Sequence, residues 1–186
     1  MVSVTSLWIP IVLSAVIVFI ASMLIHMVLG YHKNDFHKLP DEEKVMAALR
    51  LFNIPPGDYG MPKPGSMAEI RSPAFEAKQK QGPVAFMTVL PSGDMAMGAA
   101  MIQWFLYGVV ISFFAAYVAS RALGPGADYL AVFRFAGTTA FAAYALALPQ
   151  LSIWYRRSWK TTLLAMFDGL IFACLIGGTF GWLWPR

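Results

Sequence analysis

An all-α, polytopic membrane fold is what this 186-residue sequence predicts: four transmembrane helices, with a polar cytoplasmic segment between the first and the second. Composition is the first reason. Hydrophobic residues make up 58% of the chain and charged residues only 13%, about half the share of an ordinary soluble domain. The second is four apolar runs, about Leu7–Gly30, Ala96–Ser120, Tyr129–Tyr155 and Thr161–Trp184, each at or above the roughly 20 residues that a spanning helix needs. The third is a sharp change of character over residues 31–95, where eight Lys plus Arg and eight Asp plus Glu accumulate among Pro and Gly. Three regions follow: 1–30 as a transmembrane helix, 31–95 as a polar extramembrane segment, and 96–186 as a three-helix transmembrane region.

The first run is longer than the 7–15 residues of a signal-peptide core and lacks a charged leader, so it reads as a retained helix. Pro10 falls in its first turn, where a missing N–H costs little. In the polar segment, Leu39-Pro40-Asp41-Glu42-Glu43 opens a helix that runs to about Phe52, with acids at the positive end of the dipole. Asn53 to Gly65 reads as a Pro/Gly connector. Ser66-x-x-Glu69 is a capping-box pattern, and Ser72-Pro73 opens a second short helix to Lys80. Val84 to Leu90 is a β-prone run between prolines, and because a lone strand is not stable by itself it is expected to pack on the membrane surface, on the short helices or against a partner's copy. The last three apolar runs are joined by short links, Arg121–Asp128 and Arg156–Lys160, which leave consecutive helices antiparallel neighbours.

Charge orients the chain. With both termini outside, eleven basic residues lie on the cytoplasmic side against two outside, setting aside Arg134 within a helix. The location expected is the bacterial inner membrane. The net charge of +4 is spread over helix ends and not gathered on one element, which argues against a nucleic-acid partner. One cysteine, Cys174, excludes an intramolecular disulfide and reads as a small buried residue.

The candidate site is a set of polar groups inside the apolar runs. Counting about 1.5 Å of rise per residue from the cytoplasmic ends places His26 about 7 Å deep, Gln103 about 9 Å, Gln150 about 7 Å and Asp168 about 12 Å. Each helix thus gives one polar group to a common layer, and Pro149 adds a freed backbone carbonyl. Two readings stand side by side. In one, His26 and Asp168 form a proton-titrating pair in a vestibule. In the other, the layer glues helices together, with Asp168 accepting hydrogen bonds from His26, Gln103 or Gln150. Arg134 lies in the outer half and either snorkels to headgroups or meets an anionic lipid or substrate. His32 and His37 read as interfacial surface histidines, since the spacing His26-x5-His32-x4-His37 matches no zinc pattern. No metal and no cofactor is expected; a haem held between two copies of His26 in a dimer is the remote exception.

Gly177 and Gly181 form a small-xxx-small pair that lets another helix approach, within the chain first and in a homo-oligomer second. Trp182 and Trp184 are placed in the outer aromatic belt. No Ser/His/Asp order, P-loop, GxGxxG or His-Glu-x-x-His is present, which weighs against an enzyme. The stretches Ser22-Met23-Leu24-Ile25-His26-Met27-Val28-Leu29-Gly30-Tyr31-His32-Lys33, Trp154-Tyr155-Arg156-Arg157-Ser158-Trp159-Lys160, Phe167-Asp168-Gly169-Leu170 and Gly177-Gly178-Thr179-Phe180-Gly181 resemble bacterial conserved hypothetical four-helix integral membrane proteins, a domain of unknown function. That resemblance implies location and architecture and no catalytic residue. The expected role is association, as a homo-oligomer or as an accessory subunit of a larger membrane complex, with the lipid bilayer and other membrane subunits as partners. The alternative is transport: permeation of a small solute, ion or proton along the His26, Gln103, Gln150 and Asp168 layer.

Overall fold

The computed structural model describes residues 1–93 and 96–186 and is mostly helical, 67% helix and 5% strand. The expected boundary of the polar segment at Met95 lies outside the described residues. Four helices are long and apolar enough to cross a membrane: α1 (Val4–Leu29), α5 (Met97–Ala122), α6 (Tyr129–Tyr155) and α7 (Trp159–Trp182). Between α1 and α5 lie α2 (Glu42–Arg50), β1 (Gly57–Met61), α3 (Met67–Ile70), α4 (Pro73–Gln81) and β2 (Ala85–Val89). The chain divides into two compact units, one of Met1–Phe36 with Ala96–Arg186 and one of His37–Met95.

In the first unit, α1 packs between α5 and α7, and α6 packs between the same two, so the four helices close into a ring. Buried positions of α1 recur every three or four residues, Leu7, Ile11, Ser14, Val18, Ser22 and Ile25, and with Pro10 and Ala15 beside them form one stripe. Along part of α5 size, not polarity, separates inside from outside. On α5, Ala115, Ala116 and Ala119 are fully buried while Phe113, Phe114 and Tyr117 point outward. An apolar exterior around a small-residue interior suits helices in lipid, where packing rather than hydrophobicity holds helices together.

The α6–α7 contact carries this furthest. A Cβ placed on Gly177 would lie 2.9 Å from the Phe133 carbonyl oxygen, and one on Gly181 would lie 2.7 Å from the Tyr129 ring. Both glycines therefore face α6 in the same chain. Midway along α6 the helix widens into a π-helical stretch, Ala142–Leu146, just before Pro149. Pro149 has no N–H for the Ala145 carbonyl, and the Leu148 N–H takes that carbonyl at 3.1 Å instead. At the end of the bundle holding the Arg121–Asp128 link, the Trp184 indole N–H donates to the Gly124 carbonyl at 2.9 Å and the Gly126 N–H to the Pro185 carbonyl at 2.8 Å. Trp184 is thus buried as a latch and only Trp182 stays exposed, which corrects the pairing of both in an aromatic belt. Cys174 is likewise exposed on the outer face of α7, not buried; an all-apolar helix gives no periodic cue to its inner face.

In the second unit, β1 and β2 pair antiparallel, Gly57 opposite Val89 and Met61 opposite Ala85. The β-prone run therefore pairs with a strand inside the Pro/Gly connector, which corrects both the reading of that connector as strand-free and the expectation that the run packs on the membrane, the short helices or another copy. The sequence of that strand, Gly57-Asp58-Tyr59-Gly60-Met61, hides it, because glycine is a poor strand former. Here glycine has a use: Phe86 lies across Gly60, and a Cβ there would already touch its ring at 3.4 Å. Next to that pair, the Thr88 hydroxyl donates to Asp58 at 2.6 Å. Ser66 caps α3 by accepting from the Glu69 N–H, and Ser72 caps α4 by accepting from the Phe75 N–H.

Replacing Gly177 by Ala should cost about 1–3 kcal/mol through overpacking against α6. Gly98→Ala, on α5 with nothing within 4 Å of the new Cβ, should leave stability unchanged or raised. Thermal unfolding of the two variants in detergent checks the contrast, and equal midpoints would contradict the packing described.

Candidate functional site

Asp168 sits about two and a half turns into α7 and is 4% exposed. A buried carboxylate must be paired or hydrogen-bonded, because desolvation penalises its charged form. Its partners come from the six residues after α1. Gly30 adopts the left-handed conformation at φ +62, ending the helix as glycine commonly does at that position. The Lys33 N–H then donates back to the Gly30 carbonyl at 3.3 Å and the Asp35 N–H to the His32 carbonyl at 3.0 Å, closing successive turns. This fold-back carries two side chains to α7. The Tyr31 hydroxyl donates to Asp168 Oδ1, and His32 Nε2 donates to Asp168 Oδ2 at 2.7 Å.

His32 is held from the other side as well. Its Nδ1 donates to Asp35 Oδ2 at 2.8 Å, so the ring bridges two carboxylates and its side chain is only 10% exposed. Burial by itself lowers the pKa of His32, but the hydrogen bonds to Asp35 and Asp168 and the charges of both outweigh it, and the net shift is upward. The pKa of Tyr31 is pushed above its ordinary value first by burial and then by its bond to Asp168, which keeps the phenol protonated as donor. His26, in the π-helical last turn of α1, stacks on His32 with ring centroids 4.6 Å apart and planes 4° apart. Its Nδ1 donates to the Ser22 carbonyl at 3.0 Å. One ligand atom each from His26, His32 and Asp168 all lie within 4.8 Å of one another.

Deeper along α7, Gly169 touches Tyr144 and Ala145 of the π-helical stretch of α6, and Tyr144 belongs to an aromatic cluster with Trp104, Tyr107 and Phe172. The absence of a Cβ on Gly169 is what lets α6 close over the residue next to Asp168.

Of the residues anticipated from sequence, His26 and Asp168 come together, bridged by His32. Gln103 and Gln150 do not join them: both are exposed on outer faces. The expectation that Asp168 accepts from His26, Gln103 or Gln150 is therefore corrected to Tyr31 and His32. His32 is correspondingly no free interfacial histidine, whereas His37 is exposed. Arg134 is exposed on α6 and lines a shallow groove with Phe133, Phe141, Leu170 and Cys174. Tyr31, His32 and Asp35 were missed because depth was counted along ideal helices from common end planes. Gly30, a helix-stopping residue followed directly by Tyr31 and His32, is the signal that points to them. Comparison with protein-family models, curated proteins and solved structures finds no match for this chain, so the site rests on its own geometry.

Tyr31→Phe removes one hydrogen bond to a charged, buried acceptor and should lower stability by about 1.5–3 kcal/mol. Combined with Asp168→Asn, the loss should fall short of the sum of the two single losses by about 0.5–3 kcal/mol. Unfolding in detergent of the wild type, both single variants and the double variant measures the coupling; strict additivity would show that the pair contributes nothing.

Proposed function

We propose that this chain is a multi-pass bacterial inner-membrane protein, with both termini outside and the His37–Met95 unit in the cytoplasm, that acts by association as a homo-oligomer or as an accessory subunit of a larger membrane complex. The observation that carries the reading is the thin core of that unit. Among its described residues Phe75 alone is fully buried, while Leu51 and Phe52 are 80% and 73% exposed and Met67, Phe86 and Leu90 are exposed too. A unit of this size buries too little apolar surface to be comfortable by itself, and large apolar side chains left exposed in number are what a partner surface covers. A partner surface supplies what the unit lacks.

Permeation through a single chain has weaker support. Beyond Asp168 and the largely buried His32 no Asp, Glu, Lys, Arg or His is fully buried among the described residues, and the buried α7 positions that follow are Gly169, Phe172, Ala173, Ile176, Gly177, Thr179 and Phe180, with the Thr179 hydroxyl spent on the Leu175 carbonyl. Gln103 and Gln150 offer no lining for a path, since both point outward.

Native mass spectrometry of the gently extracted protein tests the proposal. Either a fixed homo-oligomer or heterologous subunits at fixed stoichiometry is expected, and a bare monomer would overturn it. A Leu51→Asp, Phe52→Asp variant should weaken the assembly by about tenfold or more. Its membrane bundle should unfold as before, since exposed substitutions usually shift stability by no more than about 0.5 kcal/mol each.

A further inference from the structure

We propose that His26, His32 and Asp168 form a binding site for one divalent first-row transition-metal ion. The proposal is independent of the association reading and stands on geometry. The three side chains offer two imidazole nitrogens and a carboxylate oxygen within 4.8 Å of one another, from the last turn of α1, the turn after it and α7. Bonds of about 2.0–2.2 Å to such ligands place neighbouring ligand atoms about 3.3–3.5 Å apart. The His32 Nε2 to Asp168 Oδ2 separation of 2.7 Å thus has to open by less than about 1 Å to admit an ion.

What distinguishes this cluster from a chance grouping is its outer layer. Ligating histidines commonly donate the second ring N–H to a carbonyl or carboxylate, which fixes the tautomer and aims the first nitrogen at the metal. Both histidines do so here. His26 Nδ1 donates to the Ser22 carbonyl, which can only accept, and His32 Nδ1 donates to Asp35. Asp168 is oriented in the same way, its Oδ1 taken by the Tyr31 hydroxyl while Oδ2 faces His32. Each of the three ligands therefore has a dedicated partner.

Charge and ligand type agree. Two carboxylates, Asp35 and Asp168, face one His32 ring, which leaves the cluster negative and receptive to a cation. On binding, the ion takes the place of the proton on His32 Nε2, and that proton leaves to solvent. Two imidazoles with one carboxylate suit zinc, iron, nickel or copper, whereas calcium and magnesium prefer all-oxygen sites. Three protein ligands leave a further coordination position for water or a substrate atom. The His26 and His32 rings stack in nearly parallel planes, and an imidazole binds an ion in its own plane, so His26, exposed at the helix end, is the ligand that turns out of the stack to meet the ion.

The test uses the full chain in detergent, stripped with a chelator and titrated with Zn²⁺ and, for its visible spectrum, with Co²⁺. Wild type should take up one ion per chain, with a Co²⁺ spectrum of nitrogen and oxygen ligation. His26→Ala should weaken binding by more than about tenfold, and Asp35→Asn, which touches no metal, should weaken it by about 10–100-fold. His37→Ala should bind like wild type. His26→Ala removes an exposed side chain, and an unchanged elution volume shows that it is folded. Absence of saturable uptake by wild type, a Co²⁺ spectrum of the hexa-aqua ion, or equal affinity in wild type and His26→Ala would each overturn the proposal.

Discussion

The desolvation of one carboxylate, Asp168, constrains the rest of the bundle. An acid near the centre of a membrane helix costs about 3 kcal/mol on insertion scales, and leaving a buried charge without its partner costs about 3–5 kcal/mol. The hydrogen bonds it accepts come from Tyr31 and His32, where the chain after α1 folds back to it. Gly30 makes that reversal possible, because its φ of +62 is a conformation that side-chain-bearing residues adopt with strain. Gly169, beside Asp168 in α7, packs directly on Tyr144 and Ala145 of the π-helical stretch of α6. A local helix stop at a glycine thus answers an electrostatic demand.

The same economy of side-chain volume holds the remainder together. Because lipid is as apolar as the helix interior, close approach and shape decide which faces meet. Gly137, Gly177 and Gly181 let α6 and α7 meet at backbone distance, and Ala115, Ala116 and Ala119 do likewise for α5. The two ends of the bundle then differ in kind. One is closed by backbone carbonyls taken by Trp184 and Gly126, and the other by ionisable side chains around Asp168.

How much of this could be read from the amino acids depends on the range of the interaction. Runs of apolar residues identify the four long helices, since span length is a property of consecutive residues. Ser66 and Ser72 announce their short helices for the same reason, a cap lying within three residues of what it bonds. Asp168 stands out as an acid in an apolar run, but its partners lie 136 and 137 residues away and follow a reversal that breaks helical arithmetic. His26 and His32 are six apart, a spacing that disqualifies them on a continuous helix; beyond a left-handed Gly30 the rule does not apply, and their rings stack. Gln103 and Gln150 mislead in the opposite way. Depth along an axis says nothing about azimuth, and an apolar helix carries no periodicity from which to recover it.

The location of the site also limits what it can do. Its ionisable members gather where α1 ends, and Asp168 reaches them from about two and a half turns inside α7. A ligand bound jointly by the last turn of α1, the segment that follows it and α7 would fix the place where the chain leaves the bundle toward the His37–Met95 unit.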